Sequence, residues 1–212
     1  MAMEGNDPAA AGQLKIRAGG CAGCTLCCKV MGVPSLDKPA NQWCAHCRTG
    51  IGCGVYDTRP AECRTFICGY LSMPALADEW KPVVSRLVIN TQSAEGTMIV
   101  YVDPARPDAW RRQPYYGALQ AWARQALPSH GRVIVRLAER NIVILPDHAV
   151  DLGALATDEV IVVLAMAAPG AEPGYQVYAA KSDTWAKVGL EVQAGHQIAA
   201  ITEGFRSGRR LD

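Results

Sequence analysis

The placement of cysteine constrains this chain more than any other feature of its sequence. All nine cysteines lie between Cys21 and Cys68, although the chain has 212 residues. Cysteine that served only as a small hydrophobic residue would be scattered through the core. The cysteines form three elements, which are CAGCTLCC at 21–28, CAHC at 44–47 and GCGVYDTRPAECRTFIC at 52–68. The sequence therefore consists of a cysteine-rich part followed by a longer part without cysteine.

The spacing of these cysteines predicts a metal site. A C-x-x-C loop places two sulfurs on one side of a tight turn, and two such pairs can complete a tetrahedral shell of four thiolates. The same shell suits zinc or an iron–sulfur cluster, so both stay open. The N-terminal sequence lacks the pattern of a secretory signal. This predicts a cytoplasmic protein whose thiols are kept reduced, which disfavours a disulfide framework.

We take all nine cysteines as candidate metal ligands. They are Cys21, Cys24, Cys27, Cys28, Cys44, Cys47, Cys53, Cys63 and Cys68. Adjacent cysteines such as Cys27 and Cys28 cannot easily chelate one metal in the same geometry. They indicate two neighbouring metals, or one ligand beside a thiol outside the coordination shell. His46 lies within a C-x-x-C loop and is expected to be an exposed residue rather than a ligand.

Basic residues and a proline surround these candidate ligands. Nearby cations can donate hydrogen bonds to the sulfurs and lower thiol pKa values, which favours metal binding. The candidate donors are Lys29, Arg48, Arg59 and Arg64. Pro60 is expected to open a short helix that delivers Cys63 to the metal.

The organisation of the chain predicts an α+β protein. We expect a flexible tail at 1–12, a Cys-rich metal-binding module at 13–75 and an α+β domain at 80–206. The module has little periodic apolar pattern, so we expect loops and short helices stapled by metal. It should pack on a small antiparallel sheet with one or two helices. Expected strands are 83–90, 97–102, 132–137, 141–145, 159–166 and 176–180. Expected helices are 108–127 and 184–205, with Asp108 as a candidate cap of the first and Pro114 as a residue that either divides it or shifts its start.

The motifs CAGCTLCC and CGVYDTRPAECRTF resemble those of the CxxCxxCC cysteine-cluster family, whose members are described as zinc- or iron-chelating and include flagellin lysine N-methylases. The resemblance covers roughly residues 21–70. It implies metal chelation by six cysteines, which are Cys21, Cys24, Cys27, Cys28, Cys53 and Cys63. It implies less about Cys44, Cys47 and Cys68. Methylase activity does not follow, because the chain has no G-x-G-x-x-G after a strand.

The remaining observations limit the function. The formal net charge of +1 provides no strong field for nucleic acid, and no apolar run is long enough to span a bilayer. We expect a metal-binding protein that holds zinc or iron, with a protein partner as a further expectation. The alternative is an iron–sulfur-dependent enzyme with a redox or methyl-transfer reaction. The sequence identifies no catalytic residue and leaves open whether the chain is an enzyme.

Overall fold

The structure is a computed structural model that describes residue 17 and residues 23–91, 96–166, 174–186 and 204–211. Several expectations fall on other parts of the chain. The tail at 1–12, the ligand Cys21 and most of the expected helix at 184–205 all lie outside the described residues.

The Cys-rich segment consists of short elements joined by loops, as expected. Its helices are α1 (Cys27–Val30), α2 (Ala61–Thr65) and α3 (Gly69–Ser72), and its strands are β1 (Cys47–Arg48) and β2 (Gly52–Cys53). Single turns of 3₁₀ helix occur at Pro34–Leu36, Tyr56–Thr58 and Asp78–Trp80.

The rest of the described chain contains most of the regular structure. It begins with the helical turn α4 (Pro82–Ser85), followed by β3 (Leu87–Asn90), β4 (Met98–Val102) and the longest helix, α5 (Tyr115–Ala126). The later strands are β5 (Val133–Leu137), β6 (Arg140–Ile144), β7 (Ala149–Asp151), β8 (Glu159–Met166), β9 (Gly174–Lys181), β10 (Arg206–Ser207) and β11 (Arg209–Leu211). The chain is therefore α+β, as predicted.

The expectation of one small antiparallel sheet is wrong. Strands β11-β7-β6-β5-β4-β3 form a six-stranded mixed sheet in that order, and β10-β9-β8 form a separate antiparallel sheet. Within the larger sheet β4 and β5 are parallel, while the other neighbours are antiparallel. The parallel pair arises because α5 lies between these strands in the chain, and a crossover of this length returns the chain to the same end of the sheet.

The two faces of the six-stranded sheet are covered by different layers. Successive side chains of a strand point to opposite faces. On β5, Val133 and Val135 pack in a core with Leu119 of α5, whereas Ile134 packs in a second core with Ile161 of β8. The sheet thus lies between α5 on one side and the three-stranded sheet on the other.

The Cys-rich segment contributes to the first of these cores. Leu26 and Val30 on one side of the segment, and Tyr70 on the other, belong to the same buried cluster as Val88 and Trp110. The segment is therefore attached at both ends to the sheet by hydrophobic burial. Within the described parts of the chain, no helix is long and apolar enough to cross a membrane.

Two element boundaries differ from expectation for local reasons. The strand expected at 83–90 begins only at Leu87, because Pro82 starts a helical turn that ends at Arg86 with φ 63°. The buried Ser85 hydroxyl, which accepts a hydrogen bond from the Leu87 N–H at 3.1 Å, stabilises this turn.

The helix expected from Asp108 begins instead at Tyr115, after Pro114, and Asp108 makes no capping hydrogen bond. Strands β7, β10 and β11 were not predicted, because each has only two or three residues.

Candidate metal centre

Most of the Cys-rich segment has no hydrophobic core of its own. Between Val33 and Cys68, all of which is described, no hydrophobic residue is buried, and the only buried side chain is that of Lys38. Phe66 packs partly buried against the core of the sheet, and hydrogen bonds make up most of the other contacts that hold this stretch.

Backbone hydrogen bonds bring the first two cysteine elements together. The N–H of Cys44 donates to the carbonyl of Cys28 at 3.0 Å. The β1–β2 hairpin pairs Cys47 directly with Cys53. Gly23 has a φ of 67°, and a Cβ atom there would lie 3.2 Å from the carbonyl oxygen of Gly50, so the first turn packs closely on the hairpin.

Helix α2 carries Cys63, as expected from Pro60, which lies at its N-cap position. Arg59 stabilises this arrangement. Its Nε donates to the carbonyl of Cys63 at 3.2 Å, and its guanidinium stacks on the Tyr56 ring with 3.8 Å between the guanidinium carbon and the ring centroid. Arg64 donates in turn to the Arg59 carbonyl at 2.7 Å. These two arginines, which we expected to donate to sulfur, therefore bond to backbone oxygens around Cys63.

Cys28 is at the centre of the thiol contacts. The thiols of Cys27 and Cys47 both donate hydrogen bonds to its sulfur. The Cys27 bond lowers the pKa of Cys28, burial raises it, and the Cys47 bond and the Lys38 charge lower it, to about 6 overall. Burial raises the pKa of Cys47 to about 11, and the neighbouring Cys28 charge adds to this effect. The thiolate at Cys28 is thus stabilised by its neighbours.

Three further cysteines lie in the same electrostatic environment. Burial raises the pKa of Cys63, and the charges of Cys28, Cys44 and Cys53 raise it further. Like charges have this effect only when they lie close together. We refer to these thiols together as the Cys28 group, which consists of Cys28, Cys44, Cys47, Cys53 and Cys63.

A second set of thiols lines a small cavity beside the sheet. This cavity, of about 20 Å³, is bounded by Cys24, Cys27 and Cys68 together with residues that include Lys81 and Val88. We refer to its three thiols as the Cys24 group. Cys68 is buried and lies at the N-cap position of α3.

The sequence did not single out Lys38, whose charge interacts with several of the thiols. Its Nζ donates to the carbonyl oxygens of Lys29, Met31 and Pro39. Burial lowers the pKa of Lys38, while the charges of Cys44 and Cys28 act in the opposite direction. Only the fold reveals this role, because the sequence PSLDKPAN around Lys38 is typical of an exposed loop.

Lys29 has a different role from the one predicted. Its Nζ lies 2.6 Å from Oδ1 of Asp103, at the end of β4, rather than beside a sulfur. His46 is exposed, as expected, and lines an open cleft of about 440 Å³ that also borders Ser35 and Glu62. Glu62 accepts hydrogen bonds from the backbone N–H and the hydroxyl of Ser35.

The donor chemistry of the two groups fits a thiophilic metal ion. The eight described cysteines are thiols and not disulfides, and Lys38 provides positive charge next to them. In the described part of the chain, however, no group of three or more His, Cys, Asp or Glu side chains is arranged as it stands to hold a metal ion.

The structure brings eight of the nine predicted ligands into these two groups, and Cys21 lies outside the described residues. Its assignment stays a prediction from its C-x-x-C spacing. Comparison with known proteins finds no protein-family model, no curated protein and no solved structure that matches this chain.

Proposed function

We propose that this chain is a metal-binding cysteine-cluster protein whose thiolates chelate zinc or iron. The observation that carries the proposal is the convergence of the Cys28 group. Its five thiols come from α1, the β1–β2 hairpin with the turn before it, and α2, and four of them lie between Val33 and Cys68, where no hydrophobic residue is fully buried.

The energetic argument concerns this missing core. Ordering the backbone of a loop costs conformational entropy, and apolar burial usually provides most of the compensation. The stretch between Val33 and Cys68 fully buries no hydrophobic side chain. Binding of a structural metal ion contributes directly to folding, so bound metal would help to order these loops.

The charges around the Cys28 group support the same proposal. Four thiolates around a divalent metal ion leave a net negative charge, which needs a nearby cation when it is partly buried. Lys38 is buried beside these thiols and is oriented by three backbone carbonyls. In this role Lys38 would stabilise the metal-bound thiolates without ligating the metal.

Zinc and iron would give the protein different roles. Bound zinc has no redox chemistry, and at a site closed by four thiolates it would order the loops. An iron–sulfur cluster would add electron transfer and would favour the alternative of a redox or methyl-transferring enzyme. Either role requires reduced thiols, so we propose the cytoplasm as the compartment.

The test is elemental analysis of protein purified without air, combined with its visible spectrum. Stoichiometric zinc without visible absorbance, or iron with matching sulfide and absorbance near about 400 nm, would support the proposal and identify the metal. Protein that is folded and contains neither metal would contradict it.

A matched pair of variants connects the metal to the thiols. Cys53→Ser removes a thiol of the Cys28 group, and Ser129→Ala changes an exposed residue near the end of α5. Because Cys53→Ser leaves only four thiols in the group, we expect it to lose metal to a competing chelator more readily than Ser129→Ala, which should behave as the wild type. Equal metal retention in the two variants would show that Cys53 is not a ligand.

A further inference from the structure

We propose that the described thiols form two separate metal centres, one in the Cys28 group and one in the Cys24 group, so that each chain binds two metal ions. This inference rests on the proposed metal-binding function and specifies its stoichiometry and ligands.

The first argument is the number of thiols and their division between two places in the fold. The Cys24 group lines a cavity against the sheet, whose described lining also includes Tyr70, Pro82 and Val88 and no member of the Cys28 group. The Cys28 group lies among the loops. The two groups touch at Cys27 and Cys28, whose thiols are hydrogen-bonded, but the eight described thiols are twice the number that one tetrahedral shell holds.

The second argument is the position of the two adjacent cysteines. Successive residues of an α-helix point about 100° apart around its axis, given about 3.6 residues per turn. Cys27 and Cys28 are the first two residues of α1. Cys27 borders the cavity, whereas Cys28 accepts the hydrogen bond from Cys47 of the hairpin. Helix α1 therefore presents one thiol to each group, and the two centres would be neighbours.

The third argument is the size of the cavity. Its volume of about 20 Å³ compares with the roughly 10–15 Å³ that a single water-sized body occupies. As it stands, the cavity has space for a single small ion. Three thiolates on one divalent ion leave a single negative charge, and Lys81, which lines this cavity, can balance it. Lys38 can balance the charge of metal-bound thiolates in the Cys28 group in the same way.

The fourth argument is the rigidity of the Cys24 group. Cys68 is buried, and a Cβ atom on the adjacent Gly69 would lie 2.7 Å from the Cβ of Ile89, so α3 packs very closely on β3. Metal bound here would fasten the first cysteine turn to the sheet. Metal in the Cys28 group would order the exposed loops between Val33 and Cys68.

The first measurement uses the full chain, loaded anaerobically with Zn²⁺ and examined by native mass spectrometry. We expect two zinc ions per chain. One zinc ion per chain would overturn the two-centre inference and leave the proposed function intact. No bound zinc, together with no iron in the purified protein, would contradict the proposed function as well.

Two matched variants then assign the ligands. Cys68→Ser leaves two thiols in the Cys24 group and should lose one of the two zinc ions. The triple variant Cys44→Ser, Cys47→Ser and Cys53→Ser likewise leaves two thiols in the Cys28 group and should lose the other. The variant with all four substitutions should lose both. If folded Cys68→Ser keeps two ions or loses both, the assignment is wrong.

A measurement on the unsubstituted chain tests the inference even if the variants fail to fold. The chain is loaded with ¹¹³Cd²⁺, and its cadmium NMR spectrum should contain two resonances from sulfur-ligated sites. A single resonance would overturn the inference. Addition of less than one equivalent should populate the two resonances unequally, because the two groups differ in burial and in number of thiols.

Discussion

The Nζ atom of Lys29 lies 2.6 Å from Oδ1 of Asp103, and this ion pair joins the Cys-rich segment to the end of β4. Both side chains are largely buried, with exposed fractions of 17% and 6%. Asp103 also accepts the N–H of Ala105 at 3.0 Å, and Arg86 lies 4.0 Å from its other oxygen. The pair therefore connects the helix that carries Cys27 and Cys28 to the sheet.

We expect Lys29→Met to lower the free energy of unfolding by roughly 1.5–3 kcal/mol, because a hydrogen bond to a largely buried carboxylate is lost. Chemical denaturation of Lys29→Met, Asp103→Asn and the double variant would measure the coupling. Additive effects would show that the pair contributes nothing. Arg86→Met is the control, and it should cost less than about 1 kcal/mol because that side chain is 44% exposed.

Lys38 offers a test of the charge balance at the Cys28 group. We expect Lys38→Met to weaken metal binding about 10- to 100-fold, the usual effect of removing a group that supports the ligands from outside the coordination shell. Competition with a chromophoric chelator would measure the affinity. Lys181→Met is the matched control, because the Lys181 side chain is 68% exposed and lies on β9. Equal metal affinities in the two variants would show that Lys38 does not contribute to metal binding.

That the described cysteines lie in one segment near each other could be predicted from sequence, because the loop of a C-x-x-C pair is local. The adjacent Cys27 and Cys28 indicated two neighbouring metals as one alternative, but the sequence could not predict which thiols lie in which group. The Cys47 thiol is hydrogen-bonded to Cys28, from a distant turn, and Cys68 lies beside the first cysteine turn because α3 packs on β3. Such contacts depend on tertiary structure, and the spacing of cysteines along the chain carries no information about them.

The fold was predictable to a similar degree. Alternating and continuous apolar runs identified β4 and β8 nearly to their ends, since burial on one or both faces leaves a direct pattern in the sequence. The parallel pairing of β4 with β5 and the separation into two sheets left no such pattern. Both depend on which strands pair with each other after α5 and after β7. Packing of the complete chain decides this pairing.

The carboxylate of Asp151 predicts a dependence of stability on pH. Its side chain is 8% exposed and lies 2.5 Å from Nη2 of Arg140 and 3.6 Å from Nη2 of Arg209. Burial raises the pKa of Asp151, but the hydrogen bonds from Arg140 and from the Gly153 N–H, with the charges of both arginines, lower it below its usual range. The folded chain therefore binds this proton more weakly than the unfolded chain does.

A lowered pKa in the folded state stabilises the protein at neutral pH, and this contribution is lost as the pH falls below about 5. We expect Asp151→Asn to be less stable than the wild type at pH 7, with a difference that shrinks on acidification. Denaturation of both proteins at a series of pH values measures the difference, and loss of metal in acid affects both alike. A difference that stays constant down to pH of about 3.5 would contradict the prediction.

Removal of metal should affect the two parts of the chain differently. Metal ligands must be deprotonated, so strong chelation or acidification releases the metal. The loops between Val33 and Cys68 bury no hydrophobic residue and would then lose their main stabilising interaction. Leu26, Val30 and Tyr70 belong to the core of the sheet and should keep both ends of the segment attached. We therefore expect proteases to cut first between residues 39 and 67, while the strands from β3 onward stay protected.

Limited proteolysis with mass-spectrometric mapping, with and without chelator, measures this difference. A sample to which zinc is restored after chelation is the control, and it should regain resistance. If residues 39–67 resist cleavage equally well after complete removal of metal, then backbone hydrogen bonds such as that between Cys44 and Cys28 suffice to hold the loops. If β5 and β6 are cut as early as the loops, the metal stabilises the whole chain, which would mean that the core around Val135 and Leu119 is too weak to persist alone.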